Sequence, residues 1–285
     1  VRTLHHAGQL EEAEDAVEAE VLEVASRRCG VPRREVGPGR HRAVRQQRRR
    51  RVLRDQPAQQ ALRPRRPQRL VYPGVSLAAF DATLLPPPPA MRAALGVPPQ
   101  GPLIGIVGRL QRWKGMHVVI AAMPEVLRAH PDAHLLVVGG AHETEPEYAR
   151  ELAAQIAQLG LGAQVTLAGF QRDIPRWMQA MDVVVHASDR EPFGIVVIEA
   201  MALGKPVVAG SLGGPAEVIT DGVDGLLAPY GDSAALARAI TRFLDDPILA
   251  ASCGTRAVAR ARAFDEPRYA RAVVHAVQEL VRPAR

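Results

Sequence analysis

The stretch that decides the fold is Leu103-Ile-Gly-Ile-Val-Gly-Arg-Leu-Gln-Arg-Trp-Lys-Gly115. Its first five residues form a continuous apolar run, which is typical of a strand that is buried on both faces. A glycine-containing loop follows, and the apolar pattern of His117–Arg128 then predicts a helix. A buried strand that leads through a short loop into a helix is the repeating unit of α/β proteins.

This unit recurs toward the C terminus. We expect further strands at Ala133–Val138, Val165–Ala168, Asp182–His186, Pro206–Ala209 and Gly225–Leu227. We expect further helices at Pro146–Leu159, Ile174–Met181, Ile195–Leu203, Pro215–Ile219, Ser233–Leu244, Pro247–Ala263 and Pro267–Val281. The sequence therefore predicts an α/β, doubly wound, Rossmann-type parallel sheet, with ligands at the carboxyl ends of its strands. Two local predictions accompany it: Asp173 caps a helix, and Pro86–Pro89 is a stiff polyproline segment.

Positive charge is concentrated in the first quarter of the 285-residue chain, whose net charge is +6. Residues 1–70 hold 17 arginines against 9 acidic residues, and the remainder holds 19 basic against 21 acidic residues. The pattern of residues 7–29 predicts a helix, whereas the Arg-, Gln- and Pro-rich residues 30–69 predict disorder. Because the rest of the chain is nearly neutral, we do not expect it to bind nucleic acid.

Several classes of protein are disfavoured by composition. Two isolated cysteines, Cys29 and Cys253, are too few for a disulfide framework or a metal site. No apolar run approaches the roughly 18 residues that span a bilayer, and the first residues do not resemble a signal peptide. We therefore expect a cytoplasmic location.

The loop Gly108–Gly115 is the first candidate site. It follows a strand and opens a helix, where free backbone N–H groups and the helix dipole favour an anion. Arg109 and Lys114 add two mobile cations, so a diphosphate fits this loop. The alternative is that both are ordinary solvated loop charges.

The second candidate is Glu191-Pro-Phe-Gly-Ile-Val-Val-Ile-Glu199, also between a strand and a helix. Gly194 permits close approach of a ligand to the backbone. Glu199 lies among apolar residues, so its carboxylate needs partners such as ligand hydroxyls. The alternative is a structural glutamate bonded to neighbouring backbone.

Other residues near these loops give weaker signals. The glycine turn Gly210–Glu217 is weak evidence by itself, and His186, Asp189 and Arg190 are either ligand contacts or packed neighbours. Cys253 and Trp177 are most simply core or helix-surface residues.

Together these motifs resemble the GT-B retaining glycosyltransferases of family 4 (glycosyl transferases group 1). The resemblance covers about 200 residues. It runs through Tyr72–Phe80, Gly108–Gly115, Pro131-Asp132, Gly139-Gly140, Ala168–Phe170, Glu191–Glu199, Gly204–Val208, Gly213–Glu217 and Asp221–Leu227.

The resemblance implies transfer of a hexose from a nucleotide-diphosphate sugar to an acceptor, with retained configuration and without a metal or another cofactor. It implies that Arg109 and Lys114 hold the diphosphate, that Glu191 reaches the transferred sugar, and that Glu199 holds the ribose. The resemblance implies further donor-binding residues. Gly108 belongs to the diphosphate loop, Gly169 and Phe170 lie near the base, and Phe193, Gly194 and Ile195 contribute their backbone. The resemblance leaves the acceptor open among a sugar, a lipid-linked sugar and a polysaccharide.

The N-terminal quarter departs from the resemblance, because enzymes of this kind have two Rossmann domains. Residues 1–70 show no βαβ pattern, so we interpret them as a remnant of a truncated N-terminal domain and residues 71–285 as the donor-binding domain. A shifted reading frame over residues 33–69 would explain their composition, and any peripheral membrane contact would belong to the missing domain.

Three other functions are weighed against hexosyl transfer. A nucleotide-sugar-binding fragment without transfer activity is the alternative. A nucleic-acid-binding protein rests on Arg48–Arg51 alone, and a dehydrogenase is disfavoured because no Gly-x-Gly-x-x-Gly follows a strand.

Overall fold

A computed structural model describes residues 70–281. These residues lie in the second of two units into which the chain divides, Arg69–Arg285. The predicted helix at residues 7–29, the predicted disorder at 30–69 and the domain assignment of residues 1–70 lie outside the described residues.

The centre of the fold is a six-stranded parallel sheet. Its strands are β1 (Leu103–Val107), β2 (His134–Val138), β3 (Val165–Gly169), β4 (Val183–His186), β5 (Val207–Gly210) and β6 (Leu226–Ala228). Their order across the sheet is β3-β2-β1-β4-β5-β6, and every pairing is parallel. The order reverses between β1 and β4, which is where doubly wound sheets bind ligands.

Helices follow the strands as the sequence predicts. They are α1 (Pro88–Leu95), α2 (Met116–Ala129), α3 (Tyr148–Gln158), α4 (Ile174–Ala180), α5 (Ile195–Ala202), α6 (Gly214–Val218), α7 (Ser233–Asp245), α8 (Pro247–Ala261) and α9 (Glu266–Val281). Short 3₁₀ turns occupy Ala82–Leu84, Arg112–Lys114 and Arg262–Phe264.

Both faces of the sheet are covered by apolar side chains. Along β1, Ile104 and Ile106 pack on one face with helices α2, α3 and α7, and Leu103 and Val107 pack on the other face with α5 and α8. This alternation explains why β1 is apolar at consecutive positions, because both of its faces lie in a core. The doubly wound α/β prediction is confirmed.

One local prediction is wrong, and another is confirmed only in position, because Asp173 is the N-cap residue of α4. Pro88 and Pro89 begin helix α1 instead of continuing a polyproline segment, because proline is tolerated in the first turn, where no backbone N–H is needed. Asp173 does precede α4, but its carboxylate makes no cap hydrogen bond and instead pairs with Arg176 at 3.2 Å. Across residues 70–281, the helices fall short of the length and apolarity that a bilayer crossing requires.

Candidate functional site

The loops that follow β1 and β4 meet where the strand order reverses. Gly115 makes this approach possible: its φ is 75°, and a Cβ at this position would lie 2.1 Å from the carbonyl oxygen of Ala187. The amide of Asp189 also donates to the carbonyl oxygen of Trp113 at 2.9 Å. Both contacts bring the predicted diphosphate loop against the loop that carries Glu191.

Lys114 and Glu191, 77 residues apart in sequence, form an ion pair at the centre of this site. The Lys114 ammonium donates to Glu191 Oε2 at 2.5 Å, and the two side chains are 15% and 12% exposed. His186, at the end of β4, places its Nε2 3.3 Å from the same oxygen. The fold therefore joins two residues that the sequence assigned to one reaction, and adds a histidine whose role the sequence left open.

The electrostatic state of Glu191 follows from these contacts. The hydrogen bond from His186 and the Lys114 ammonium hold the pKa of Glu191 at about 2, although burial acts in the opposite direction. Glu191 is therefore a fixed carboxylate at neutral pH, able to accept hydrogen bonds but not to donate a proton.

The glycine turn after β5, which is weak evidence in the sequence, holds the Glu191 loop in place. The amide of Gly214 donates to the carbonyl oxygen of Glu191 at 2.8 Å. A Cβ on Gly213, whose φ is 71°, would lie 2.5 Å from that oxygen. Only glycine allows both the left-handed conformation and this close approach.

The backbone amides that are predicted to bind the donor lie at the start of α5. Helix α5 begins at Ile195, so the first amides of the helix have no carbonyl partners within it. The Phe193 ring is buried and stacks on Tyr72 at a centroid distance of 5.7 Å, so Phe193 can offer a ligand only its backbone. Ile195 is 49% exposed beside it.

Glu199 lies one turn further along α5. Its side chain is half-buried, and burial raises its pKa to about 7. Within residues 70–281, no hydrogen bond or ion pair to this carboxylate is found, unlike the structural glutamate of the alternative interpretation. An acidic side chain that is partly desolvated and unpaired is suited to a ligand with hydroxyl donors.

The remaining predicted residues extend the site along the carboxyl edge of the sheet toward β3. Exposed Arg109 approaches His142, with 3.2 Å between Arg109 Nη1 and His142 Nε2. The backbone of Gly108 is tied to Val138 by a 3.0 Å hydrogen bond. Phe170, which follows Gly169 at the end of β3, is 72% exposed.

The predicted site residues thus all lie along the carboxyl edge of the sheet, but they do not form a single cluster. Lys114, Glu191 and the start of α5 are central, whereas Arg109 and Phe170 lie on the β2–β3 side. The sequence analysis missed His142. Its only signal in the sequence is its place two residues after the glycine pair Gly139-Gly140, which follows β2. Cys253 is buried in the core. Trp177 is partly buried and packs against core residues, and both positions agree with the expectation.

A cavity of about 410 Å³ lies at the opposite edge of the sheet, among Pro99, Asp182 and Pro206. The polar groups there are used internally: Arg92 pairs with Asp182, and Asp182 Oδ2 accepts the Leu103 amide at 2.7 Å. This cavity is lined by structural charges, so the carboxyl edge remains the candidate site.

Comparisons with known proteins agree with this geometry. The family model described as "Glycosyl transferases group 1" matches residues 89–260. The chain belongs to this family. A D-inositol 3-phosphate glycosyltransferase of Frankia alni is 35% identical over 222 residues, which are 75% of this chain and 54% of that protein. The lipopolysaccharide core biosynthesis mannosyltransferase LpsB of Rhizobium meliloti is 32% identical over 194 residues, 67% of this chain and 55% of that protein.

A solved structure shows the same fold. Anabaena HepE in complex with UDP superposes with a TM-score of 0.69 at 34% identity, over 74% of this chain and 57% of that chain. HepE has also been crystallised with UDP-glucose. The chain thus spans a little over half the length of these three relatives.

Proposed function

We propose that this member of the group 1 glycosyltransferases binds a nucleotide-diphosphate sugar at the carboxyl edge of its sheet and supports hexosyl transfer to an acceptor. We further assign it to family 4, whose reaction retains the configuration of the transferred sugar. The observation that carries the proposal is the Lys114–Glu191 pair at the switch point, with the unpaired carboxylate of Glu199 one turn along α5.

Each part of a nucleotide-diphosphate sugar finds a chemical counterpart along this edge. Lys114, Arg109 and the amides at the start of α5 supply positive charge for the diphosphate. Glu199 accepts hydrogen bonds from the ribose hydroxyls, and Glu191 accepts them from the transferred sugar. Phe170 offers an exposed aromatic face to the base.

Charge stabilisation is the chemical contribution of these residues. When the bond between the sugar and the diphosphate breaks, negative charge grows on the departing nucleoside diphosphate. Cations already fixed beside the diphosphate lower the energy of that state more than that of the bound donor. We therefore propose that Lys114 and Arg109 take this role and that transfer needs no metal, so an excess of chelator should leave the rate unchanged.

The relatives narrow the donors to be tested. HepE binds UDP and UDP-glucose, and LpsB is named a mannosyltransferase. We propose a hexose as the transferred sugar. The acceptor, whether a sugar, a lipid-linked sugar or a polysaccharide, stays open, and the cytoplasmic location stays a prediction.

A thermal-shift panel tests donor binding. UDP, GDP and ADP, each alone and joined to glucose or mannose, are added to the wild-type chain and to Lys114→Ala and Glu199→Ala. We expect one nucleotide and its sugar to raise the melting temperature of the wild type, and both variants to lose that shift. Arg128→Ala is the matched control, because among residues 70–281 this exposed cation on α2 pairs only with its helical neighbour Glu125. A wild type that responds to no nucleotide would contradict the proposal.

The second candidate function, donor binding without transfer, is favoured by one observation: the matched region spans 54% of the Frankia alni relative and 55% of LpsB. Incubating the chain with the donor that it binds, and following the release of nucleoside diphosphate with candidate acceptors, separates the two functions. Binding without release would assign the chain to the second.

A further inference from the structure

His186 is a buried imidazole beside Glu191 to which the proposed function assigns no role. It ends β4, and its side chain is 4% exposed. Burial of a polar ring costs free energy unless its nitrogens make hydrogen bonds. The hydrogen bonds that the His186 ring makes therefore indicate its role.

The two ring nitrogens of His186 have different surroundings. Nδ1 is buried and has no hydrogen-bond partner among the described residues. Nε2 lies 3.3 Å from Glu191 Oε2 and 3.2 Å from Ser188 Oγ. A proton on Nδ1 would be buried without an acceptor, whereas a proton on Nε2 meets a carboxylate. The geometry thus selects the neutral tautomer in which Nε2 donates.

The donors to Glu191 are both directed at one of its two oxygens. The Lys114 ammonium and His186 Nε2 reach Oε2, and no described residue hydrogen-bonds to Oε1. The two donors belong to different elements, the turn after β1 and the end of β4, so together they restrict rotation of the carboxylate. Its other oxygen keeps its full capacity to accept hydrogen bonds.

We propose that His186 is a positioning residue that holds Glu191 so that Oε1 accepts a hydroxyl of the transferred sugar. The inference rests on the proposed function. It gives His186 a specific effect: it strengthens binding of the sugar part of the donor and leaves binding of the nucleotide part unchanged. Lys114 differs, because it faces both Glu191 and the diphosphate.

Comparing a nucleotide with its own sugar conjugate tests this inference. The affinities of UDP and UDP-glucose, or of the pair that the wild type prefers, are measured by calorimetry for the wild type, His186→Leu and His186→Gln. Leucine removes the donor, whereas glutamine places an amide N–H close to the position of Nε2. We expect His186→Leu to weaken nucleotide-sugar binding about tenfold, the effect of a hydrogen bond to a charged group, and to leave nucleotide binding within about twofold. Glutamine should restore most of the loss.

Ser188→Ala is the matched control for the pocket around the ring. It removes the other neighbour of Nε2 without touching Glu191, so both affinities should stay within about twofold of the wild type. If His186→Leu lowers the affinities for the nucleotide and the nucleotide-sugar equally, His186 has only a packing role and the inference is overturned. A glutamine variant that behaves like the leucine variant, or a leucine variant with unchanged affinities, would also overturn it.

A second measurement does not depend on any ligand. Long-range ¹H–¹⁵N correlation spectra of the imidazole report which nitrogen carries the proton. We expect the spectra to show a proton on Nε2 of His186, and its signals should shift in Glu191→Gln. Protonation at Nδ1 would contradict the inference. A wild type that binds no nucleotide would instead contradict the proposed function, and the spectra would still decide whether Nε2 donates to Glu191.

Discussion

The two edges of the sheet both contain partly buried charges, but they use them differently. At the amino edge, the Arg92 guanidinium donates to the carbonyl oxygens of Ala180 and Gly101 and to Asp182, and Lys205 donates to the Gln179 carbonyl oxygen at 2.7 Å. At the carboxyl edge, Glu199 has no partner among the described residues, and Glu191 uses one oxygen only. Buried charge at the first edge stabilises the fold, and at the second it is available to a ligand.

The largest expected effect is on stability, from Arg92→Ala. The substitution removes the guanidinium that donates to two carbonyl oxygens and leaves Asp182 with the Leu103 amide alone. We therefore expect a loss of about 3 kcal/mol in the free energy of unfolding, measured by urea denaturation. Nucleotide affinity, measured where the variant is folded, should not change. A variant that keeps its stability but loses nucleotide binding would reverse the roles of the two edges.

Lys114→Ala should differ from Arg92→Ala in its effect on nucleotide binding. Removal of a cation from a diphosphate site should weaken nucleotide and nucleotide-sugar binding about thirtyfold, the effect of a lost charge-assisted hydrogen bond. The melting temperature without ligand should also fall, because removal of Lys114 leaves the partly buried charge of Glu191 without its cation. Calorimetry and thermal denaturation on the same preparations check both statements, and Arg128→Ala again serves as the control.

How far the sequence predicts these roles differs between the two edges. The loops at the carboxyl edge follow apolar strands, so strand periodicity and loop residues locate Lys114, Glu191 and Glu199. The Arg92–Asp182 pair joins residues 90 apart, and neither lies in a motif. Its helix begins at Pro88, which the sequence suggests is extended. His142 is visible only once the strands are placed, because its partner Arg109 comes from another loop. His186 is visible in the sequence, but its contact with Glu191 is not.

Glu199 predicts a pH dependence of donor binding. Its pKa is about 7 in the free protein because burial disfavours the charged form. Ribose hydroxyls donate to the carboxylate and favour its charged form, so binding lowers that pKa and releases a proton. Affinity for the nucleotide-sugar should therefore rise several-fold from pH 6 to pH 8, and Glu199→Gln should abolish the rise.

The nucleotide-sugar is the correct probe for this experiment. The terminal phosphate of a free nucleoside diphosphate is a monoester-like group that titrates near pH 6, whereas the sugar conjugate blocks that ionisation. A pH dependence that persists in Glu199→Gln would place the titrating group elsewhere.

The smallest effect is expected from Phe170→Ala. The ring is 72% exposed, so its removal should leave stability within about 0.5 kcal/mol of the wild type. If the base stacks on this ring, affinity should fall about fivefold, the lower end of base–aromatic stacking. Equal affinities for wild type and variant would remove Phe170 from the site.

The most direct test is a crystal structure of the chain with the nucleotide-sugar that gives the largest thermal shift. We predict that the diphosphate contacts Lys114 and the first amides of α5, that the ribose hydroxyls bond to Glu199, and that a sugar hydroxyl meets Glu191 Oε1. A nucleotide bound at the amino edge, in the cavity beside Asp182, would contradict the assignment of the two edges.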